Sequence, residues 1–219
     1  MRGPVRGTFN VSTSLHIQSC NSPISAVVNA FNQDNAVPTK VRIHTTNRSV
    51  PSHFSPLFCE FVDSNSHPLP SFPPFPNARS PLHAELALIS TDENKASGAF
   101  FVDTRTSNSP LAVNFTEQAP DALLKLRAHT SNSPAFIHLD PSFEGTFKLH
   151  TSIFHPRVSH EDVEDPAGRG RKRVVHEKSV GRGGRVVVGN AEWVPQDEKV
   201  APHGKVEVST THSPLRLSL

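Results

Sequence analysis

The feature that most constrains this chain is a short sentence that recurs along it: a Ser or Thr, then Asn, then Ser-Pro and an apolar residue. Thr130-Ser131-Asn132-Ser133-Pro134 and Thr106-Ser107-Asn108-Ser109-Pro110 are nearly identical copies. Ser19-Cys20-Asn21-Ser22-Pro23 and Thr210-Thr211-His212-Ser213-Pro214 are close, and Thr45-Thr46-Asn47 and Thr151-Ser152 are weaker. From the leading hydroxyl residue, the steps 19 to 45, 106 to 130 and 130 to 151 are 26, 24 and 21 residues. A unit of that length, repeated, signals a stacked architecture in which no single unit buries its own apolar face.

The flanks alternate with period two. Leu124, Leu126 and Ala128 oppose Lys125, Arg127 and His129; Phe147 and Leu149 oppose Lys148 and His150; Leu215, Leu217 and Leu219 share one side. Side chains on a strand point to opposite faces in turn, so each segment reads as a half-buried strand. Strands are predicted near 84–90, 99–106, 111–115, 123–129, 135–139 and 146–151. Between them, Asn21, Asn47, Asn108 and Asn132 are expected to turn the chain in the left-handed backbone region, which Asn tolerates. Pro23, Pro110, Pro134 and Pro214 then hold the preceding residue extended and open the next strand. Tight hairpins prefer Asn-Gly, so these read as open corners.

These units, with the lead-in Gly145-Thr146-Phe147-Lys148-Leu149 and the closing Gly204-Lys205-Val206-Glu207-Val208, resemble an uncharacterised fungal family that repeats Ser/Thr-Ser-Asn-Gly units. Its pattern is similar to that of bacterial putative-adhesin β-repeat proteins. The resemblance covers most of residues 7–219 and implies a fold rather than an activity. The chain departs from it by carrying Ser-Pro where those repeats carry Gly.

The fold expected is all-β: an irregular β-solenoid or stacked β-roll of roughly 20–25 residues per repeat, with an antiparallel β-sandwich as the alternative. Residues 1–62 read as N-terminal β-repeats and 63–82 as a Pro-rich connector with a Pro70-x-x-Pro73 spacing. Residues 83–219 read as C-terminal β-repeats interrupted at 156–193 by a charged loop and a hairpin. That hairpin is predicted from Arg173 to Lys178 and Arg185 to Trp193, turning through Gly181-Arg182-Gly183-Gly184.

A net charge of +2, from 22 basic and 20 acidic residues, implies no general pull toward nucleic acid or anionic membrane. The basic run Arg169 to Arg173 follows Glu161, Asp162, Glu164 and Asp165, so a solvated loop with locally paired charges is expected. Cys20 and Cys59 make neither a disulfide framework nor a zinc site and read as free thiols. Three glycosylation sequons, at Asn10, Asn47 and Asn114, are within chance for a Ser/Thr-rich chain.

Residues 1–15 hold no apolar signal region and no stretch approaches a membrane span. The cytoplasm is the default compartment, with an upstream segment expected to be missing because the chain starts almost in register with a strand. No P-loop, Gly-x-Ser-x-Gly or His-Glu-x-x-His is present, and no paired carboxylates suggest glycoside hydrolysis. No catalytic residue, metal or cofactor is therefore assigned.

The function expected is a non-catalytic structural or adhesive module presenting a Ser/Thr/Asn-rich face to a protein or glycan surface. A carbohydrate-binding or carbohydrate-active β-helix protein is the alternative. One candidate surface stripe stands out. His44, Arg105, His129 and His150 each precede the corner Thr, so stacking would align them as a titratable column.

Overall fold

The computed structural model describes residues 3–33, 37–46, 80–93, 97–194 and 204–219. The described residues are almost all β and build two sheets, with strands numbered in chain order. The seven-stranded sheet holds, in spatial order, β1 (Val5–Val11), β3 (Ile24–Asn32), β5 (Leu82–Ser90), β7 (Leu111–Gln118), β9 (Ala135–His138), β15 (Leu215–Ser218) and β11 (Arg157–Ser159). The eight-stranded sheet holds β12 (Lys172–Val180), β13 (Val186–Val194), β10 (Gly145–Thr151), β14 (Gly204–Thr210), β8 (Leu123–Thr130), β6 (Ala99–Ser107), β4 (Thr39–Thr46) and β2 (Ser14–Cys20).

From β1 to β10, each strand lies in the opposite sheet from the one before it. Parallel neighbours need a crossover connection, and here a strand of the other sheet serves as that crossover. All pairs are parallel except those of the hairpin β12–β13 and its docking on β10. The inward faces of both sheets form one core, including Val28, Ile43, Leu86, Val102, Leu126, Ile137, Leu149 and Leu217. The strand pairs β3–β5 and β4–β6 join residues on either side of the Pro-rich stretch. Most of that connector, with Asn47 and Cys59, lies outside the described residues.

The corners use the repeated residues in two ways. Ser19, Thr45, Thr106, Thr130, Thr210 and Thr151 form one row across the eight-stranded sheet, and all are buried. Their hydroxyls donate inward to corner carbonyls: Ser19 to Ser22, Thr106 and Thr130 to Ser109, Thr210 to Ser213. The prolines open strands of the seven-stranded sheet, and their carbonyls accept from the neighbouring rung. Val5 N–H donates to Pro23, Leu82 to Pro110, Leu111 to Pro134 and Ala135 to Pro214. A proline supplies that acceptor without leaving an N–H of its own to satisfy.

Two expectations are corrected. Asn21 and Asn108 take the left-handed conformation, each with φ 58°, but Asn132 does not. Its corner closes through the Ser133 N–H on the Ser131 carbonyl, and its side chain is engaged elsewhere, as described below. The leading Thr residues of the corners fall on the inward side of the alternation, the side of Phe147 and Leu149. The basic run is not a solvated loop with purely local pairs. Arg169 pairs with Asp121, 48 residues away, and Arg171 is buried between Asp165 and Glu144 at 3.1 and 2.6 Å. Arg171 and Arg173 flank the Trp193 ring, 5.9 and 5.4 Å from its centroid.

The final rung is out of sequence order. β14 lies between β8 and β10, and β15 between β9 and β11, so the last residues fill a slot bounded by strands made earlier in the chain. Its apolar residues Val206, Val208, Leu215, Leu217 and Leu219 are all buried there.

Candidate binding face

The outward face of the eight-stranded sheet carries the predicted stripe. Because the register runs unbroken from β2 to β10, outward residues align in straight rows across six parallel strands. At about 4.8 Å per strand, such a row is about 24 Å long, and successive rows lie about 7 Å apart.

The first row reads Gln18, His44, Arg105, His129, Ser209, His150. All four stripe residues fall on it, with Ser209 interposed because the final rung occupies the slot between β8 and β10. His129 Nδ1 lies 2.9 Å from Ser209 Oγ. The second row reads His16, Arg42, Asp103, Arg127, Glu207, Lys148, and beyond Arg42 its charge alternates. The third reads Ser14, Lys40, Phe101, Lys125, Lys205, Thr146. Two rows without a carboxylate thus flank one that contains two.

The middle row organises its neighbours. Asp103 accepts two hydrogen bonds from Arg105, at 3.0 and 3.1 Å, and lies 3.5 Å from His44. Glu207 pairs with Lys205 at 2.7 Å and Arg127 at 3.6 Å. The Lys205 hydrogen bond is the main cause holding the Glu207 carboxyl below its usual range. Side-chain exposure separates the two acids: Asp103 is 9% exposed and committed to Arg105, whereas Glu207 is 36% exposed.

Partial burial lowers the pKa of His44, with Arg105 and His16 adding to the effect and Asp103 opposing it. His16 and His44 meet edge to face, 5.7 Å between ring centres. Burial, then the charge of Arg105, lowers His129. At neutral pH the permanent positive charge of the face is carried by its lysines and arginines, and His44 and His129, both lowered, add charge on acidification.

A second ladder runs along the corners. Asn132 Nδ2 donates to Asn108 Oδ1 at 2.7 Å, and Asn132 Oδ1 accepts from His212 Nδ1 at 2.9 Å. The repeat pattern marked these Asn positions but not that His212 would extend their ladder. On the other sheet, a depression of about 380 Å³ is lined by Ala112, Asn114, His138, Arg216 and others. Sequence reading missed it, because its lining comes from four strands, β5, β7, β9 and β15, that lie far apart in the chain. Among the described residues no group of three His, Cys, Asp or Glu is placed to hold a metal ion, and no helix is long and apolar enough to cross a membrane.

Comparison with protein-family profiles, curated proteins and solved structures found no match to this chain.

Proposed function

We propose that this chain is a non-catalytic adhesive or structural module, an irregular β-solenoid that binds its partner through the outward face of the eight-stranded sheet. Support for the solenoid comes from the alternation of strands between two parallel sheets and the 21–26-residue step of the corners. The observation that carries the binding reading is the pair of carboxylate-free rows holding Lys40, Lys125 and Lys205 on one side and Arg105 with three histidines on the other. The three rows set seven Lys and Arg against two carboxylates, so this surface attracts anionic partners more strongly than the net charge of +2 for the whole chain implies.

The test is salt elution from a cation-exchange resin. Lys125→Glu/Lys205→Glu changes the net charge by the same amount as Arg157→Glu/Arg216→Glu, which alters exposed residues of the seven-stranded sheet. The first variant is expected to elute at clearly lower salt than the second. Equal shifts would show that no single face dominates and would overturn the reading.

A further inference from the structure

We infer that the partner of this face is a linear acidic polysaccharide, a polymer that carries carboxylate or sulfate groups together with free hydroxyls. The inference rests on the proposal above that the face is a binding surface, and adds the chemistry of what it binds.

Three observations lead there. First, the rows are straight and about 24 Å long because the register is unbroken over six strands. By contrast, the seven-stranded sheet shifts register between Leu86 and Ala87. A linear ligand lying across the strands meets equivalent positions at each step.

Second, apart from the half-buried Phe101, the two outer rows carry cations and neutral polar side chains, with Arg105 and Lys205 also paired to the acids of the middle row. Lys125 and Lys205 are exposed and adjacent in the pairing, and Arg105 is exposed in the first row. These groups make charge-assisted hydrogen bonds to anions.

Third, the row between them contains Glu207, partly exposed and held in place by Lys205 and Arg127. A carboxylate accepts hydrogen bonds and repels anions. A ligand that is anionic throughout gains nothing from it. A polymer whose anionic groups are interspersed with hydroxyl donors places the anions over the lysines and a hydroxyl on Glu207.

The same face fits other polyanions less well. Single-stranded nucleic acid is held by stacking on aromatic side chains, and the only aromatic carbocycle in the three rows is the half-buried Phe101. The major groove of a duplex admits a helix or a two-stranded ribbon, not the face of a broad sheet. An anionic bilayer is engaged most stably where apolar side chains insert beside the cations, and the half-buried Phe101 is the one large apolar side chain of the three rows.

The experiment titrates the full chain with polygalacturonate, inorganic polyphosphate, single-stranded DNA and vesicles of anionic phospholipid, at one pH and salt concentration. Polygalacturonate is expected to bind most tightly per charge. Lys125→Ala/Lys205→Ala is expected to weaken it by about tenfold. Glu207→Ala is the discriminating variant. Removing a like charge strengthens polyphosphate binding, whereas polygalacturonate also loses its hydroxyl acceptor, so the ratio of the two affinities falls by about threefold or more. An unchanged ratio, or tighter binding of polyphosphate, DNA or vesicles by the wild type, would overturn the polysaccharide assignment and leave the binding face standing. Absence of binding to all four would overturn the binding face itself. Lys125, Lys205 and Glu207 lie outside the core, and unchanged thermal unfolding of the variants excludes a folding defect.

Discussion

Asn132 and Asn108 occupy equivalent corners of adjacent rungs, yet only Asn108 is left-handed; Asn132 donates its amide to the Asn108 carbonyl oxygen at 2.7 Å. Identical sequence sentences therefore serve different purposes, one for backbone geometry and one for the ladder. Asn108→Val is expected to cost roughly 1–3 kcal/mol, since a β-branched residue resists positive φ. Asn132→Val loses only exposed side-chain hydrogen bonds and is expected to cost about 1 kcal/mol or less. Urea unfolding midpoints compare them, and equal losses would contradict the distinction.

Leu126 is fully buried and its neighbour Lys125 exposed. Leu126→Asp buries an unpaired charge and is expected to destabilise by about 3 kcal/mol or more, whereas Lys125→Asp costs under about 1 kcal/mol. Equal destabilisation would mean that the register is one residue out.

Gly204 begins the rung that fills the slot. A Cβ there would lie 2.6 Å from the Phe143 ring and 2.8 Å from the Glu144 carbonyl oxygen. That oxygen is itself held by the Gly204 N–H at 2.8 Å, so it has little freedom to move away. Gly204→Ala is expected to destabilise by roughly 1–3 kcal/mol through overpacking. A neutral result in thermal unfolding would argue against the inserted position of β14.

Much of this was legible in the sequence. Strict alternation around Leu126, Leu149 and Val208 gave both the strands and their buried sides, because a half-buried strand needs one apolar residue in two. Recurrence of the residue before the corner Thr placed His44, Arg105, His129 and His150 on one row. The slot was not legible. Gly204 to Leu219 reads like any other repeat, and nothing local encodes that its two strands pair with β8 and β10 and with β9 and β11 rather than stacking at the end. The inward side of the corner threonines follows from the same alternation, which sets Thr151 with Phe147 and Leu149; the carbonyls their hydroxyls meet do not. Arg171 gave no sign of its burial, since its partners Asp165 and Glu144 come from separate segments.

Asp165 holds together the loop before β12, through Ala167, Arg169 and Arg171. Burial pushes its carboxyl up, but hydrogen bonds from Arg171 and from the N–H groups of Ala167 and Arg171 outweigh this and hold it at about 2, against an ordinary 3.8. A depressed carboxylate contributes stability that is fully present above its unfolded value and is lost as pH falls through its folded one. Stability is expected to decline between about pH 4 and pH 2. Asp165→Asn leaves Arg171 paired with Glu144 and is expected to cost about 1.5–3 kcal/mol at neutral pH, with a flatter acid limb. An unchanged limb in pH-dependent unfolding would show that the pair does not couple to folding.

The most direct test of the binding face is chemical-shift mapping of the isotopically labelled chain titrated with polygalacturonate at two pH values. Shifts are expected at Lys125, Arg127, Lys205 and Glu207, extending to His44 and His129 as the pH is lowered from about 7.5 to 5.5. Affinity is expected to rise over the same interval, because a bound anion favours the protonated imidazoles whose pKa values the free protein holds down. Shifts centred instead on Ala112, Asn114 and Arg216, around the depression in the seven-stranded sheet, would contradict the account.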